Sequence, residues 1–255
     1  EWPVPRCRLP RRDVKTLLED GYFAKHGNRP IRGTVRIWGM PEKLDAPGGG
    51  RRRQLTWPKK GNQQMGRDFL FLKLHVPKRD LRRVVRRGHV GLQVDISQAF
   101  SHYLLAECVQ DYTVFEGPDG ELLHTTRQSM GDRNGSQLCG AGTARLCDVP
   151  LPPSVTVHCA TDNIRVTGER EEAVSVMKAI IARCRHVGVK LNEVSETDGD
   201  EVIEALAMDA YDFLGEHYVH SAETMAMTQK VLNKLITTWS RRGILSSETC
   251  IVAND

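Results

Sequence analysis

The order of the predicted elements indicates an α+β fold in which helices cover one face of an antiparallel sheet. Short apolar, β-branched runs occur in pairs around turn sequences, a pattern typical of hairpins. Longer segments whose apolar residues follow the helical period lie between those pairs. The 255 residues include 40% hydrophobic and 27% charged residues, a composition typical of a globular protein with a sizeable core.

The first third of the chain predicts two helices and an irregular segment. Residues 11–25 carry apolar side chains on one face of a short amphipathic helix. Residues 41–66 are rich in Pro, Gly and Arg and predict a loop or an irregular hairpin. Residues 78–87 predict a helix with apolar side chains inward and basic ones outward.

The middle of the chain predicts a strand and two hairpins. Residues 90–95 form an apolar, β-branched run that ends at Asp95, and a short helix is expected after it. The flanks of two turn sequences predict hairpins over residues 112–115 with 121–125 and over residues 154–160 with 163–167. Because the second turn carries Asp162, the two central strands are expected to bring Asp95 and Asp162 to neighbouring edges of one site.

The remaining segments complete the predicted element order. The predictions are a small-residue helix over 135–147, a helix over 169–186 that stops at Gly188, a polar loop over 195–200, a hairpin over 211–219 and a helix over 226–240.

The charge of the chain is unevenly distributed although its net charge is only +4. Two basic clusters lie in the first third: Arg51, Arg52, Arg53, Lys59 and Lys60 in one, and Lys78, Arg79, Arg82, Arg83, Arg86 and Arg87 in the other. A solvated helix face explains either cluster alone. Two clusters flanking the strand that ends in Asp95 favour a polyanion partner instead.

Other sequence features exclude several classes of protein. The seven cysteines show no C-x-x-C pair and irregular spacing, which argues against a zinc site or a disulfide framework and favours free thiols in a reducing compartment. No apolar run reaches the length of a membrane span, so no membrane partner and an intracellular location, in cytoplasm or nucleus, are expected. The chain begins without Met or a signal-like stretch and is interpreted as part of a longer protein.

Asp95 and Asp162 suggest a magnesium-dependent site. Each follows a β-type run, so two carboxylates are presented at strand ends. Mg²⁺ prefers oxygen ligands and typically takes one or two protein carboxylates plus substrate phosphates. A pair of such ions activates a hydroxyl and neutralises a phosphate leaving group in nucleotidyl transfer. A turn Asp without a ligand role is the alternative for either residue alone.

Four short motifs carry a resemblance to a known family. They are Val94-Asp95-Ile96-Ser97-Gln98-Ala99-Phe100, Ser129-Met130-Gly131 through Asn134-Gly135-Ser136, Ala160-Thr161-Asp162-Asn163 and Phe213-Leu214-Gly215. In this order, from about Arg51 to Lys234, they resemble a retrotransposon reverse transcriptase, closest to the Ty3-like and tyrosine-recombinase (DIRS-like) elements. The resemblance implies a right-hand polymerase: an N-terminal and fingers region over 1–88, an antiparallel palm over 89–220 and the start of a thumb over 221–255.

The resemblance also implies an activity and a role for each motif residue. The expected activity is RNA-directed DNA synthesis from deoxynucleoside triphosphates on a primed RNA or DNA template, with Mg²⁺ or Mn²⁺ as cofactor. Asp95 and Asp162 would be the metal ligands, with Asn163 beside them. The substrate-binding residues would be Arg53, Lys59, Phe100, Met130 and Gly131. Phe213, Leu214 and Gly215 would hold the primer end, and Lys78, Arg79, Arg82, Arg83, Arg86 and Arg87 would contact nucleic-acid phosphates.

The third motif departs from the family pattern Tyr-x-Asp-Asp. Ala160 stands in place of the aromatic residue, and Asn163 in place of the second carboxylate. An amide offers one neutral oxygen to a cation but no charge, so weaker metal binding is expected. Two interpretations follow: a working polymerase from a divergent element, or a reverse-transcriptase-derived domain that binds nucleic acid without polymerising. In either case, a parent polyprotein with RNase H or recombinase domains is expected.

Overall fold

The computed structural model describes residues 3–41, 52–58, 62–63 and 84–241, which form an α+β structure with antiparallel sheets. This confirms the predicted fold class at the level of element type and strand direction. The described residues fall into two compact units. The first comprises residues 3–41, 52–58, 62–63 and 96–145, and the second comprises residues 84–95 and 146–241. The predicted division at residues 88 and 220 stays a prediction.

The described part of the chain contains six helices and eleven strands, numbered here in chain order. The helices are α1 (Arg11–Glu19), α2 (Glu107–Gln110), α3 (Gly135–Leu146), α4 (Arg170–His186), α5 (Asp200–Ala205) and α6 (Gln229–Arg241), with a 3₁₀ turn at Ala99–His102. The strands are β1 (Phe23–Lys25), β2 (Arg36–Pro41), β3 (Arg52–Trp57), β4 (His89–Asp95), β5 (Val114–Glu116), β6 (Leu122–Thr125), β7 (Thr156–Ala160), β8 (Asn163–Glu169), β9 (Ala210–Phe213), β10 (Glu216–Val219) and β11 (Thr224–Met227). None of these helices is both long and apolar enough to cross a lipid bilayer.

Among its described residues, the first unit has two small sheets and an apolar cluster. The strand orders are β1-β6-β5 and β2-β3, with every pair antiparallel. Phe23 and Phe115 meet edge to face with ring centroids 4.9 Å apart. They belong to a buried cluster with Cys7, Leu9, Val14, Val35, Ile37 and Leu123. Burial of this apolar surface is the main force that holds the unit together.

The second unit is organised around a three-stranded sheet with the order β4-β8-β7. Leu92 lies opposite Val166, and Val94 lies opposite Ile164. These four side chains are buried on one face, where α4 contacts β4 and β8. Successive strand residues alternate between faces. The other face therefore carries Asp95, Asn163 and Arg165.

A second sheet, β11-β10-β9, supplies aromatic side chains to the second unit. Tyr211 and Tyr218 stack with ring centroids 5.3 Å apart, and Phe213 completes this buried cluster. Gly91 of β4 exchanges backbone hydrogen bonds with Met208, immediately before β9. The β9–β10 hairpin is thereby joined to the strand that ends at Asp95.

Several predicted elements differ from the observed ones. The helix predicted over 11–25 stops at Glu19, because Gly21 adopts a φ of 69° and the chain then enters β1. The irregular segment over 41–66 contains β3, which pairs with β2. The helix predicted over 78–87 is wrong for residues 84–87, which form turn and coil, and residues 78–83 lie outside the described residues.

Two further differences lie near the C-terminal end of the described chain. The predicted polar loop over 195–200 leads directly into α5, which begins at Asp200. The helix predicted from residue 226 begins at Gln229, because residues 224–227 pair with β10 as a strand. The hairpins predicted over 112–125, 154–167 and 211–219 and the helix over 169–186 are confirmed within a few residues. The six cysteines that the structure describes are free thiols.

Candidate active site at two strand ends

Asp95 and the Thr161–Asp162 turn meet at one end of the β4-β8-β7 sheet. Asp95 is the last residue of β4, and Asn163, the first residue of β8, lies directly opposite it. Directly opposed residues in an antiparallel pair have Cβ atoms about 5 Å apart. Asp162 immediately precedes Asn163. The two carboxylates predicted to act together therefore share one sheet edge within the second unit.

The turn that carries Asp162 has an unusual backbone. It joins β7 to β8 with two residues, and Thr161 adopts a φ of 56°. A positive φ at the first position of a two-residue hairpin loop is typical of a type II′ turn, which ordinarily has Gly there. A β-branched residue is strained in this region. Such outliers concentrate at functional sites, where the surrounding structure holds them in place.

Asn163 uses its amide as a hydrogen-bond donor. Its Nδ2 donates to Oδ1 of Asp162 over 2.9 Å. A hydrogen bond to a carboxylate is stronger than one between neutral groups. Asn163 thus stabilises the neighbouring carboxylate of Asp162 and orients it.

Asn192 plays a similar part for Asp95. Its Nδ2 donates to Oδ2 of Asp95 over 2.7 Å, and its backbone N–H donates to the Asp95 carbonyl over 2.9 Å. Glu193 accepts a hydrogen bond from the Asp95 backbone N–H over 2.8 Å. Gly188, at a φ of 72°, follows the end of α4 and lets the chain turn back toward Asp95. The sequence resemblance, which extends from about Arg51 to Lys234, indicated no role for Asn192.

Phe213, Leu214 and Gly215 form the tip of the β9–β10 hairpin. Leu214 and Gly215 have φ values of 51° and 83°, as in a type I′ turn. Phe213 is buried, whereas Leu214 is 50% exposed. The Gly215 carbonyl accepts a hydrogen bond from Thr228 N over 2.9 Å. The turn therefore presents one apolar side chain to solvent on a well-supported backbone.

Within the first unit, Met130 and Gly131 are held against the end of β3. The Thr56 hydroxyl donates to the Met130 carbonyl over 2.7 Å, and Asn62 Nδ2 donates to the Gly131 carbonyl over 2.8 Å. A Cβ atom at position 131 would lie 2.4 Å from the Thr56 carbonyl oxygen, and the backbone of Gly131 has a φ of 105°. Only Gly satisfies both conditions. Burial raises the pKa of nearby Asp132, against the opposing effect of a hydrogen bond from Ser129 N.

Phe100 also lies in the first unit, in the 3₁₀ turn that follows β4. Its ring is half-buried, and a Cβ atom at Gly135 would lie 3.2 Å from its Cε1. The ring therefore packs closely over the first residue of α3. Arg53 is the second residue of β3, opposite Met40. Lys59 lies outside the described residues.

Two members of the second basic cluster are described. The backbone N–H of Arg86 donates to His220 Nδ1, and that of Arg87 donates to Glu223 Oε1, each over 3.3 Å. Both arginine side chains are exposed. They are available to a charged partner at the surface of the second unit. Lys78, Arg79, Arg82 and Arg83 lie outside the described residues.

The donor set suits Mg²⁺ only if the ion brings further ligands. Among the described residues, no group of three or more His, Cys, Asp and Glu side chains is arranged to hold a metal ion. Asp95 and Asp162 offer hard carboxylate oxygens at one edge. Mg²⁺ commonly keeps water and substrate phosphates and takes only one or two protein carboxylates. The residues present therefore fit an ion that completes its coordination with water or phosphate oxygens.

Comparison with solved structures identifies the fold. A foamy viral protease–reverse transcriptase dRH in complex with double-stranded DNA matches with a TM-score of 0.66 and 16% identity, and the match covers 92% of this chain and 39% of that one. A foamy viral protease–reverse transcriptase in complex with double-stranded DNA gives a TM-score of 0.63 and 16% identity, and the match covers 92% of this chain and 46% of that one. The native prototype foamy virus protease–reverse transcriptase gives a TM-score of 0.62 and 14% identity, and the match covers 96% of this chain and 33% of that one.

These matches show a reverse-transcriptase-like fold. The chain spans between a third and a half of the length of those structures. No family model and no curated protein sequence matches the chain.

Proposed function

We propose that the protein is a template-directed DNA polymerase of a retroelement, an RNA-directed nucleotidyltransferase of the Ty3-like or DIRS-like lineage. The observation that carries the proposal is the pairing of Asp95 with Asn163 beside Asp162 at one sheet edge. The reverse-transcriptase-like fold supports it. In this reading the second unit contains the palm sheet, and α6 begins the thumb.

Asp95 and Asp162 are the metal ligands in this proposal. Bound Mg²⁺ would supply positive charge to the triphosphate and acidify the primer hydroxyl. The chain's own contribution is to orient both carboxylates. Asn192 and Asn163 each donate one amide hydrogen bond to one of them. A supporting donor of this kind typically tunes a metal ligand.

The reaction joins the primer 3′ oxygen to the α-phosphorus of a deoxynucleoside triphosphate and releases pyrophosphate. Arg53 and Lys59 would bind the triphosphate, because cations match phosphate oxygens. Phe100 would exclude a ribose 2′ hydroxyl, and Met130 and Gly131 would line the nucleotide. Phe213, Leu214 and Gly215 would hold the primer end. The second basic cluster would contact template and primer phosphates without reading sequence.

The alternative is a reverse-transcriptase-derived domain that binds nucleic acid without polymerising. The observation that favours it is Asn163, which leaves two carboxylates where the family pattern has three. Binding then requires only the basic surfaces. The two functions differ in whether dNMP incorporation depends on Asp95 and Asp162.

Primer extension on poly(rA)–oligo(dT) with Mg²⁺ or Mn²⁺ tests the proposal. We expect wild-type incorporation that is lost in Asp95→Asn and in Asp162→Asn, because both substitutions preserve shape while removing charge. Asp200→Asn alters an exposed carboxylate on α5 and serves as the matched control. Absence of incorporation in the wild type, together with salt-dependent binding to the duplex, would instead support the binding-only domain.

A further inference from the structure

Arg165 is the most deeply buried charged residue near the candidate site. It lies in β8, the central strand of its sheet, and its side chain has no solvent exposure. Its Nε and Nη1 have no hydrogen-bond partner within the described part of the chain. Burial of a guanidinium that is not fully hydrogen-bonded is costly. An aliphatic residue would fill this position at lower cost, so the cation requires an explanation.

The contacts of Arg165 connect three elements of the second unit. Its guanidinium carbon lies 4.6 Å from the ring centroid of Phe213 and 4.5 Å from that of Tyr218. Its Nη2 lies 3.0 Å from Nδ1 of His158 on β7. A desolvated cation over aromatic faces is attracted to both rings. Arg165 thus joins β8 and β7 to both strands of the β9–β10 hairpin.

The position of Arg165 along β8 links this contact to the candidate site. It is two residues after Asn163, so both side chains project from the same face of the sheet. Asp95 lies opposite Asn163 and Gln93 opposite Arg165, which places the acidic edge and the guanidinium on one surface. The distance between alternate residues of a strand is about 7 Å.

We propose that Arg165 is a positioning residue: by clamping Phe213 and Tyr218 it holds the Leu214–Gly215 turn at a defined distance from the Asp95–Asp162 edge. The inference rests on the proposed function, in which that turn supports the primer end. A planar guanidinium over two rings restricts orientation more than an aliphatic contact does. The benefit of the buried charge is geometric precision in placing the 3′ hydroxyl, for which small displacements are costly.

The test compares Arg165→Met, Arg165→Lys and the control Arg183→Met, which removes an arginine from α4, on the other face of the sheet. Each variant of the chain is examined by hydrogen exchange of residues 210–219 against residues 170–186 of α4, which Arg165 does not contact, and by steady-state primer extension. We expect Arg165→Met to accelerate exchange in the hairpin selectively and to lower kcat by up to about 100-fold, the loss that a displacement of reacting groups by about 1 Å causes. The KM for deoxynucleotide and the Kd for the duplex should remain within about twofold, because the nucleotide and phosphate contacts are untouched.

Arg165→Lys keeps the charge but loses the planar stack, so it should recover only part of the rate. It also provides a folded variant if Arg165→Met fails to fold. An unchanged kcat in a folded Arg165 variant, or exchange that accelerates equally in both segments, would refute the positioning role. A wild-type protein that does not extend primers would refute the proposed function itself, and the role in primer placement with it. Selective exchange in the hairpin would then establish only a structural clamp.

Discussion

Asn163 donates a hydrogen bond to Asp162 from a position directly across from Asp95. A carboxylate there would add a third negative group and lose the donor. Like charges on directly opposed strand positions are destabilising. The amide therefore favours the fold of the metal-free protein, whereas a carboxylate would favour the metal-bound one.

We predict that Asn163→Asp lowers the free energy of unfolding in chelator by about 1 kcal/mol, from the lost donor and the added repulsion. The same substitution should decrease the Mg²⁺ concentration that gives half-maximal primer extension, because a third carboxylate attracts the ion. Urea unfolding in EDTA and a magnesium titration of activity measure the two effects. Equal stability and an unchanged titration midpoint would show that Asn163 faces neither Asp162 nor the ion in solution.

Asn192 holds Asp95 through both its side chain and its backbone. We predict that Asn192→Ala lowers activity at saturating nucleotide by about 10- to 100-fold, the range typical when a donor to a metal ligand is removed. Magnesium titrations of primer extension would show a matching increase in the concentration required. Asn233→Ala, which alters an exposed asparagine of α6, is the control and should behave as the wild type.

At the scale of single elements, Gly91 determines how the β9–β10 hairpin meets β4. A Cβ atom at Gly91 would lie 2.0 Å from Cε1 of Tyr211. Because Gly91 has no side chain, the ring of Tyr211 can pack directly against the backbone of β4. The hairpin position therefore depends on a missing side chain as well as on the Arg165 clamp.

We predict that Gly91→Ala destabilises the protein by about 1–3 kcal/mol, the usual cost of overpacking a core. Urea denaturation of the single variants and of Gly91→Ala/Tyr211→Ala gives the coupling between the two sites. The double variant should lose less stability than the sum of the single losses, because the alanine at 211 removes the clashing ring. Strict additivity would mean that the methyl group and the ring do not meet.

Local signals allowed much of the candidate site to be predicted. Asp95 ends an apolar run and Asp162 lies in a two-residue turn, so strand periodicity alone brought them to one sheet edge. Asn192 could not be found this way, because its partner Asp95 is 97 residues away in the chain. Arg165 was missed for a related reason. A charged residue in a strand ordinarily faces solvent, and the aromatic rings that stabilise the buried guanidinium of Arg165, those of Phe213 and Tyr218, are distant in the chain. The last two residues of β11 were assigned to the predicted helix, because their apolar spacing fits either period, and residues 224–225 were assigned to no element.

At the scale of the whole molecule, each unit contains a buried histidine whose pKa is lowered. Burial is the main cause for His220; a backbone hydrogen bond with Arg86 and the charge of Asp209 oppose it, and His89 and Arg165 lower the pKa further. Burial likewise lowers the pKa of His124, with Arg29 and His26 acting in the same direction and Asp111 against them.

We predict that the free energy of unfolding decreases as the pH falls below about 6.5, the ordinary histidine value. Below that pH the unfolded chain binds protons that the folded histidines resist, so protons favour unfolding. Urea unfolding between pH 5 and pH 8 should show a shallower decrease in His220→Gln than in the wild type. His217→Gln alters an exposed histidine paired with Asp212 and is the control. An identical slope in His220→Gln and the wild type would argue against a neutral buried His220.

The proposed function also requires affinity for nucleic acid, and Arg86 and Arg87 are exposed cations in the described part of the chain that could contact phosphates. Each phosphate contact adds about 0.9 to the magnitude of the slope of log K against log salt on a duplex. We predict that Arg86→Ala/Arg87→Ala weakens binding to a primed duplex equally for unrelated sequences and makes that slope shallower by about 2. Fluorescence anisotropy at several salt concentrations measures both the affinity and the slope.

Lys178→Ala is the matched control. Lys178 Nζ lies 2.9 Å from Asp200 and 2.7 Å from Glu204, so two carboxylates already balance its charge. A slope unchanged by the double substitution would place the phosphate-binding surface elsewhere, and a loss confined to one sequence would mean that these arginines contact bases.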